Sequence, residues 1–306
     1  MKGTYISLGE IIMKTGELIR KIRLEKGIKA NYVYNDLMSR SSSYKYEHGQ
    51  DETTAINLVS IVERLNLDFP EFCNLFERET NNHKRLETYR KNLFANFRQA
   101  KLKDIKLVKD QLEKFYKRDP LLSVKHLILI ADAMYKKLEK IKLTKEKEII
   151  LKYLKKNNNW GFYEYQLLSD SLFMLDAASL KNLFSTNDKW REFYKDENNL
   201  ELQVFKIQVL FKIVIFFMIS KFSEAEFFLK ILNDLPISEN DVQAKCYQQF
   251  ANGLRKIQEE NFEEGVKVIS DVLTYCQVLN LDNLFAEFAT ILKKNFNYDC
   301  FQSGKV

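Results

Sequence analysis

The chain has 306 residues, a net charge of +6 and a hydrophobic fraction of 45%. Such a length suits two domains, and the apolar content is enough for sizeable cores. The mild charge permits an anionic partner without demanding one, and with 9 glycines and 3 prolines there is little turn-forming material, so the chain reads as all-α.

Residues 1–13 end in Met13, an alternative start, and stay outside the fold argument. Five short helices are expected after them. GELIRKIRLEKG (16–27) sets Leu18 and Ile22 four apart, with Gly27 as a stop. Residues 29–38 form a second amphipathic piece built on Tyr32, Val33 and Leu37. Ser39 can cap a third helix at about 40–47. Thr53 or Thr54 can cap a fourth, whose face is Ala55, Leu58, Val59, Val62 and Leu65. LDFPEFCNLFER (67–78) starts a fifth, with Pro70 near its first turn. A compact α domain over 14–79, a linker at 80–84 and a second domain over 85–306 follow from this rhythm, because from about residue 80 the helices become long and amphipathic.

The C-terminal half repeats itself. In KFSEAEFFLKIL (221–232) and NFEEGVKVISDV (261–272), Phe222 matches Phe262, Glu224 matches Glu264, and Ala225 matches Gly265; Phe228, Leu229 and Leu232 match Val268, Ile269 and Val272. An aromatic, two polar residues and a small residue opening an apolar-faced helix is how a tetratricopeptide-type hairpin begins its second helix. The small residue lets the two helices approach closely. A period near forty implies stacked helical hairpins, an α-solenoid.

Charge is gathered into the first third. Residues 14–45 carry eight Lys/Arg against three Asp/Glu, and 84–118 carry twelve against four. Within the first of these lies MSRSSSYKYEHG (38–49). A short helix, a tight turn and a second short helix form the helix-turn-helix plan, whose second helix enters the major groove. Ser41, Ser42, Tyr44 and Lys45 supply the short hydrogen-bonding groups and cations that base edges need, Arg20, Arg23, Arg40 and Lys45 are candidates for phosphate contacts, and Lys29 is a further DNA-binding candidate. The alternative is an ordinary Ser-rich loop capping a core helix.

Residues 14–78 resemble the Cro/repressor-type helix-turn-helix of the Rgg/GadR/MutR family. The family pattern SKSxxSRxExG reads SRSSSYKYEHG here, with Ser39, Arg40, Ser41, Glu47 and Gly49 matching. NWGFYE (159–164) resembles the family's WGYYE-like segment. The resemblance implies a homodimeric transcription regulator, an architecture shared with the PlcR and PrgX regulators. Its N-terminal domains would bind double-stranded promoter DNA, and its tetratricopeptide-like domain would bind a short apolar signalling peptide, as in quorum sensing. Three positions depart from the pattern: Ser43 stands where an apolar residue is usual, Ala30 where Gln is frequent, and Lys45 where Arg is frequent.

Trp160, Phe162 and Tyr163 open a helix and serve either as core between two hairpins or as part of a peptide groove. Gln208, Asn252, Arg255 and Lys256 are further groove candidates. An amide bonds an extended peptide in both directions, and a cation catches its carboxylate. Lys101, Lys103, Lys106 and Lys109 read as a solvated helix face, with added phosphate contacts as the alternative. The four cysteines, Cys73, Cys246, Cys276 and Cys300, have no zinc spacing and read as free thiols; Cys73 at a dimer contact is a second reading.

No metal, cofactor or enzyme motif is expected, and His48, His83 and His126 show no evident partners. The N-terminus lacks a signal pattern, and the most apolar run, 209–219, is too short to span a bilayer. A cytoplasmic protein follows. Two rivals stay open: a peptide- or protein-binding helical scaffold with a vestigial helix-turn-helix, and a repressor without a ligand.

Overall fold

The computed structural model describes residues 13–80, 82–157, 160–185, 200–219 and 225–296. Every regular element among them is helical, as the composition implies. The chain divides into two compact units, Met1–Arg98 and Gln99–Val306.

The first unit holds α1 (Thr15–Glu25), α2 (Ala30–Tyr34), α3 (Arg40–Glu47), α4 (Ala55–Arg64), α5 (Phe69–Thr80) and α6 (Asn82–Arg98). Its core gathers Leu18, Ile19 and Ile22 from α1, Val33 and Tyr34 from α2, Tyr46 from α3, Ile61 and Val62 from α4, and Phe72 from α5. The boundaries have local causes. Gly27 (φ +66°) ends α1 and Gly49 (φ +65°) follows α3, both in the left-handed region that L side chains avoid. Thr54, rather than Thr53, caps α4, its Oγ1 accepting the Asn57 amide at 3.2 Å. The second helix is shorter than the expected 29–38, because Asp36 turns left-handed (φ +64°) just after it. The segment expected as a linker is largely helical: α5 runs to Thr80, α6 begins at Asn82, and the units divide after Arg98.

One glycine in this unit fixes a contact. A Cβ on Gly16 would lie 1.9 Å from the Tyr46 carbonyl oxygen. The start of α1 therefore rests on the backbone of α3 with room only for hydrogen.

The second unit contains α7 (Leu102–Arg118), α8 (Leu122–Leu138), α9 (Thr144–Lys156), α10 (Phe162–Ser171) with a following 3-10 turn (Leu172–Met174), α11 (Ala177–Ser185), α12 (Leu200–Ile219), α13 (Ala225–Asp234), α14 (Val242–Gln258), α15 (Phe262–Val278) and α16 (Asp282–Phe296). Helices α8, α10, α12 and α14 lie side by side as one layer. Phe288 of α16 joins them, stacked on Phe250 at 4.1 Å and edge-on to Phe211 and Tyr247. The odd-numbered helices back this layer, as successive hairpins require.

Helix α12 is the layer's centre. Val209, Leu210, Phe211, Ile213, Val214, Phe217 and Met218 are all buried. The expected apolar run, 209–219, is part of a longer helix: Leu202–Ile219 has a mean hydropathy of 2.0 and is, among the described residues, the one helix long and apolar enough to cross a membrane. Its length matches a span, yet 61% of that window is buried against neighbouring helices, which is how a core helix of a bundle reads.

The repeat signal has a physical counterpart. Phe222 and Glu224 lie outside the described residues, but Ala225 and Gly265 are both buried at the starts of α13 and α15. A Cβ on Gly265 would come within 2.8 Å of the Gly253 carbonyl oxygen and 2.7 Å of Ile257 Cγ1. Scarce glycine leaves several helix ends to left-handed residues of other types, among them Lys140 (φ +59°), Glu260 (φ +66°) and Asn280 (φ +54°). Two substitutions should therefore act in opposite directions in urea melts. Gly265→Ala is expected to destabilise by about 2 kcal/mol, since backbone must move. Glu260→Gly is expected to stabilise by about 0.5 kcal/mol, by relieving a left-handed residue.

Candidate nucleic-acid interface and candidate peptide groove

Helix α3 begins with Ser39, whose Oγ accepts the Ser42 amide at 3.1 Å and lies 2.9 Å from the Ser42 hydroxyl. The helix then splits into two faces. Ser43, Tyr46 and Glu47 are buried. Ser41, Tyr44 and Lys45 are exposed, His48 is half-buried, and the spacing i, i+3, i+4, i+7 puts these four on one outward face. Arg40 and Ser42 are exposed on its flanks. Ser43 sits where a core apolar residue is usual, and its hydroxyl donates to the Arg40 carbonyl at 3.0 Å. The buried oxygen is thereby satisfied inside its own turn, which removes the penalty for placing it there.

Glu47 is the anchor. Arg23 grips it in a fork, Nε to Oε1 at 2.6 Å and Nη2 to Oε2 at 2.7 Å, and the Tyr34 hydroxyl donates to Oε1 at 2.8 Å. The remaining Arg23 nitrogen donates to the Ile28 carbonyl at 3.0 Å. Burial pushes the Glu47 carboxyl up, but the hydrogen bonds from Arg23 and Tyr34 outweigh it and hold it below the usual range. The Tyr34 phenol is pushed well up, by burial first and then by Glu47. Arg23, expected as a phosphate contact, is thus committed to the core-facing carboxylate, its side chain 12% exposed. Arg20, Lys29, Arg40 and Lys45 remain exposed. Lys26 donates to the Leu65 and Asn66 carbonyls and Arg64 to those of Val33 and Asn35, so these two cations cap helix ends.

His48 and His126 both have partners that sequence spacing does not reveal; the side chain of His83 lies outside the described residues. His48 packs on Tyr44, ring centroids 4.0 Å apart, and its Nδ1 donates to the Tyr44 carbonyl at 2.7 Å. His126 joins three helices of the second unit. Its Nδ1 lies 2.6 Å from the Tyr163 hydroxyl, and its ring meets those of Tyr153 and Tyr163. Burial, then the Lys125 charge, pushes His126 down to about 4, so it is neutral at physiological pH.

The WGFYE segment makes the α9–α10 corner; Asn159 lies outside the described residues. Buried Trp160 donates to the Leu154 and Asn157 carbonyls at 3.1 and 3.0 Å, closing α9. Glu164 accepts the Gly161 amide at 3.0 Å and the Tyr153 hydroxyl at 2.8 Å. Trp160 and Tyr163 therefore serve this corner, and of the expected aromatics Phe162 alone is exposed. Asn252 exchanges amide bonds with Asn233 at 2.9 and 3.0 Å, Arg255 pairs with Glu226 and Glu259, and Lys256 pairs with Glu264. These groove candidates are spent on neighbours within the unit, because their side of α14 faces the adjoining helices. Lys109 is likewise paired, with Asp132 of α8 at 2.6 Å, whereas Lys101, Lys103 and Lys106 are exposed. Cys73 is half-buried, Cys246 and Cys276 are buried, and Cys300 lies outside the described residues.

Gln208 keeps different company. Phe162, Gln166 and Ser169 line one stripe of α10, and Phe205, Gln208 and Lys212 one stripe of α12, none of them buried. Phe162 stacks on Phe205 at 5.8 Å, and Lys212 donates to the Ser169 hydroxyl at 3.1 Å. The two stripes thus run parallel, forming a shallow face with an aromatic pair at one end, amides between and a cation at the other. Lys212 breaking an apolar run was the signal available in the sequence. Gln203, Lys206, Ile207, Leu235 and Pro236 line a shallow, partly open cleft, too small to hold a typical small-molecule ligand.

The architecture is a small helical unit carrying a polar, exposed helix face, followed in sequence by a domain of stacked helical hairpins. Residues 105–290 match the family model described as HTH-type transcriptional regulator Rgg, C-terminal domain. The chain belongs to this Rgg family, a family of transcriptional regulators and not of enzymes. Among solved structures, a protein of Listeria monocytogenes EGD-e described as a transcriptional regulator superposes with a TM-score of 0.75 at 17% identity, covering 92% of this chain and 97% of that one. The SHP pheromone receptor Rgg2 of Streptococcus dysgalactiae gives 0.69 at 16%, with coverage of 92% and 99%. The PrgX/cCF10 complex gives 0.67 at 15%, with coverage of 92% and 99%. At such identities the likeness carries the fold. No curated protein sequence matches the chain.

The Glu47 anchor has a pH signature. Its carboxyl is held below the unfolded value, so its contribution is full above the ordinary carboxylate range and is lost as pH falls through the depressed folded value. In denaturant melts, stability is expected to drop as pH falls below the ordinary carboxylate range and through the depressed folded value. Glu47→Ala should cost roughly 3 kcal/mol at pH 7, by leaving Arg23 buried and unpaired, and should flatten that drop.

Proposed function

We propose that this protein is a promoter-binding regulator that acts as a homodimer and responds to a short apolar peptide. The observation that carries the DNA part is the outward face of α3: Ser41, Tyr44 and Lys45 stand exposed while Glu47 locks the opposite face to Arg23 and Tyr34. Short hydroxyls and a lysine on an exposed helix of this size suit base edges in the major groove. Ser42 flanks them, and the exposed cations Arg20, Lys29 and Arg40 would meet phosphate oxygens. Two such heads would read half-sites about one helical turn apart, or a multiple of it.

The peptide part rests on the α10–α12 face. An apolar side chain fits on the Phe162–Phe205 pair, the Gln208 amide bonds a peptide backbone both ways, and Lys212 offers a cation to a carboxylate. The family's regulators and the pheromone-receptor neighbours support this reading.

A gel-shift titration against DNA flanking the gene tests the first part. Binding should weaken steeply with salt. Lys45→Ala and Arg40→Ala should each lower the slope of log K against log salt by about 1 if they meet phosphate, with Lys45→Ala also relaxing base preference. Absence of binding at low salt would leave a scaffold protein instead. For the second part, a thermal-shift screen with short apolar peptides should reveal stabilisation of about 2.7 kcal/mol at a hundredfold excess over Kd. That shift should vanish in Phe162→Ala and Lys212→Glu, whose own melting temperatures stay near the parent's. A screen without hits would favour a ligand-independent repressor.

A further inference from the structure

The outward face of α3 extends one turn further than the sequence pattern suggests, to His48. Tyr44 is 62% exposed, yet one side of its ring is covered by the His48 imidazole, centroids 4.0 Å apart and planes 31° from parallel. His48 is held in three ways. Its Nδ1 donates to the Tyr44 carbonyl at 2.7 Å, its backbone amide donates to the same oxygen at 3.2 Å, and Gly49 follows it in a left-handed turn whose carbonyl accepts Lys14 Nζ at 2.6 Å. A solvent-facing tyrosine normally samples several rotamers and loses that freedom on binding. Here the ring is stacked beforehand, so the loss is smaller and one apolar ring face stays presented outward.

On the duplex surface that a helix in the major groove meets, the apolar feature is the C5-methyl of thymine. We propose that Tyr44, positioned by His48, is a specificity-determining residue that reads a thymine methyl in each half-site. The idea rests on the DNA-binding reading above. Tyr44 touches the base through ring carbons; His48 acts through Tyr44 and is a positioning residue.

The test uses the full-length protein and a duplex enriched from a random library. Thymines of the enriched site are replaced one at a time by uracil, which removes only the methyl, and affinity is read by fluorescence anisotropy. For the parent protein, one thymine per half-site should show a loss of about fourfold on replacement, the factor expected for one buried methyl. That loss should disappear in Tyr44→Ala and persist in Tyr44→Phe, which keeps the ring. It should shrink in His48→Ala and return in His48→Phe, which restores a stacking partner. Thermal melts of each variant establish that the fold is kept, and a purely structural role for His48 would not move the uracil effect. The proposal is overturned if no thymine is sensitive, if the sensitivity survives Tyr44→Ala, or if His48→Phe behaves like His48→Ala. If no duplex is enriched at all, the DNA-binding reading fails and this one with it, an outcome distinct from an enriched site that ignores uracil.

Discussion

The buried fork between Arg23 and Glu47 is the interaction on which the first unit depends. Helix α3 is poor in its own right: three serines and two tyrosines in eight residues give it little helix propensity. Tyr46 alone contributes a large apolar side chain to the core from this helix. What holds it is polar and local: the Ser39 cap, the Ser43 back-bond, and the Glu47 carboxylate gripped by α1 and α2. A buried ion pair is weak evidence for stability, since a well-packed apolar pair often does as well. Its use here is register. The two-pronged geometry fixes the rotation of α3 about its axis and so decides which four side chains face outward.

Much of this was legible in the sequence, for identifiable reasons. The Ser39 cap, the bounds of α3 and the Leu18/Ile22 face are local patterns, and local patterns survive folding. The small residue at the repeat start also held, since Gly265 is where two backbones approach. What could not be read were pairings between distant residues. An arginine on α1 facing solvent and one facing a carboxylate 24 residues away look alike in a sequence. His126 looked solitary because its partner, Tyr163, lies 37 residues on. Asn252 and Arg255 carry groups suited to a peptide, but nothing local says that their side of α14 faces α13.

The α10–α12 face shows the same limit from the other side. Its six residues come from two segments, and apart from Lys212 within its apolar run neither segment looks unusual alone. Only when the helices lie parallel does Phe162 meet Phe205 and Ser169 meet Lys212, and both pairs are 43 residues apart. The constant spacing means that equivalent positions of two repeat helices face one another, as stacked hairpins require. The spacing differs slightly from the forty residues that separate Ala225 and Gly265, so a search for one fixed period finds the later hairpins and misses this one.

The rigidity of α3 also constrains how a peptide signal would work on the proposed reading. Its outward side chains are set by contacts inside the first unit. Loosening α3 would mean breaking the Glu47 fork, a change of several kcal/mol, whereas allosteric coupling between sites typically amounts to 1–3 kcal/mol. A change in how two intact heads are presented asks for less. When one head is bound, the second binds as an intramolecular event whose effective concentration depends on geometry, and losing the correct spacing removes that gain without altering any single contact. A face that offers one serine, one tyrosine, one lysine and one histidine has modest specificity alone. On the proposed reading such a head would depend on its partner, and the spacing between heads would be the quantity that a peptide controls.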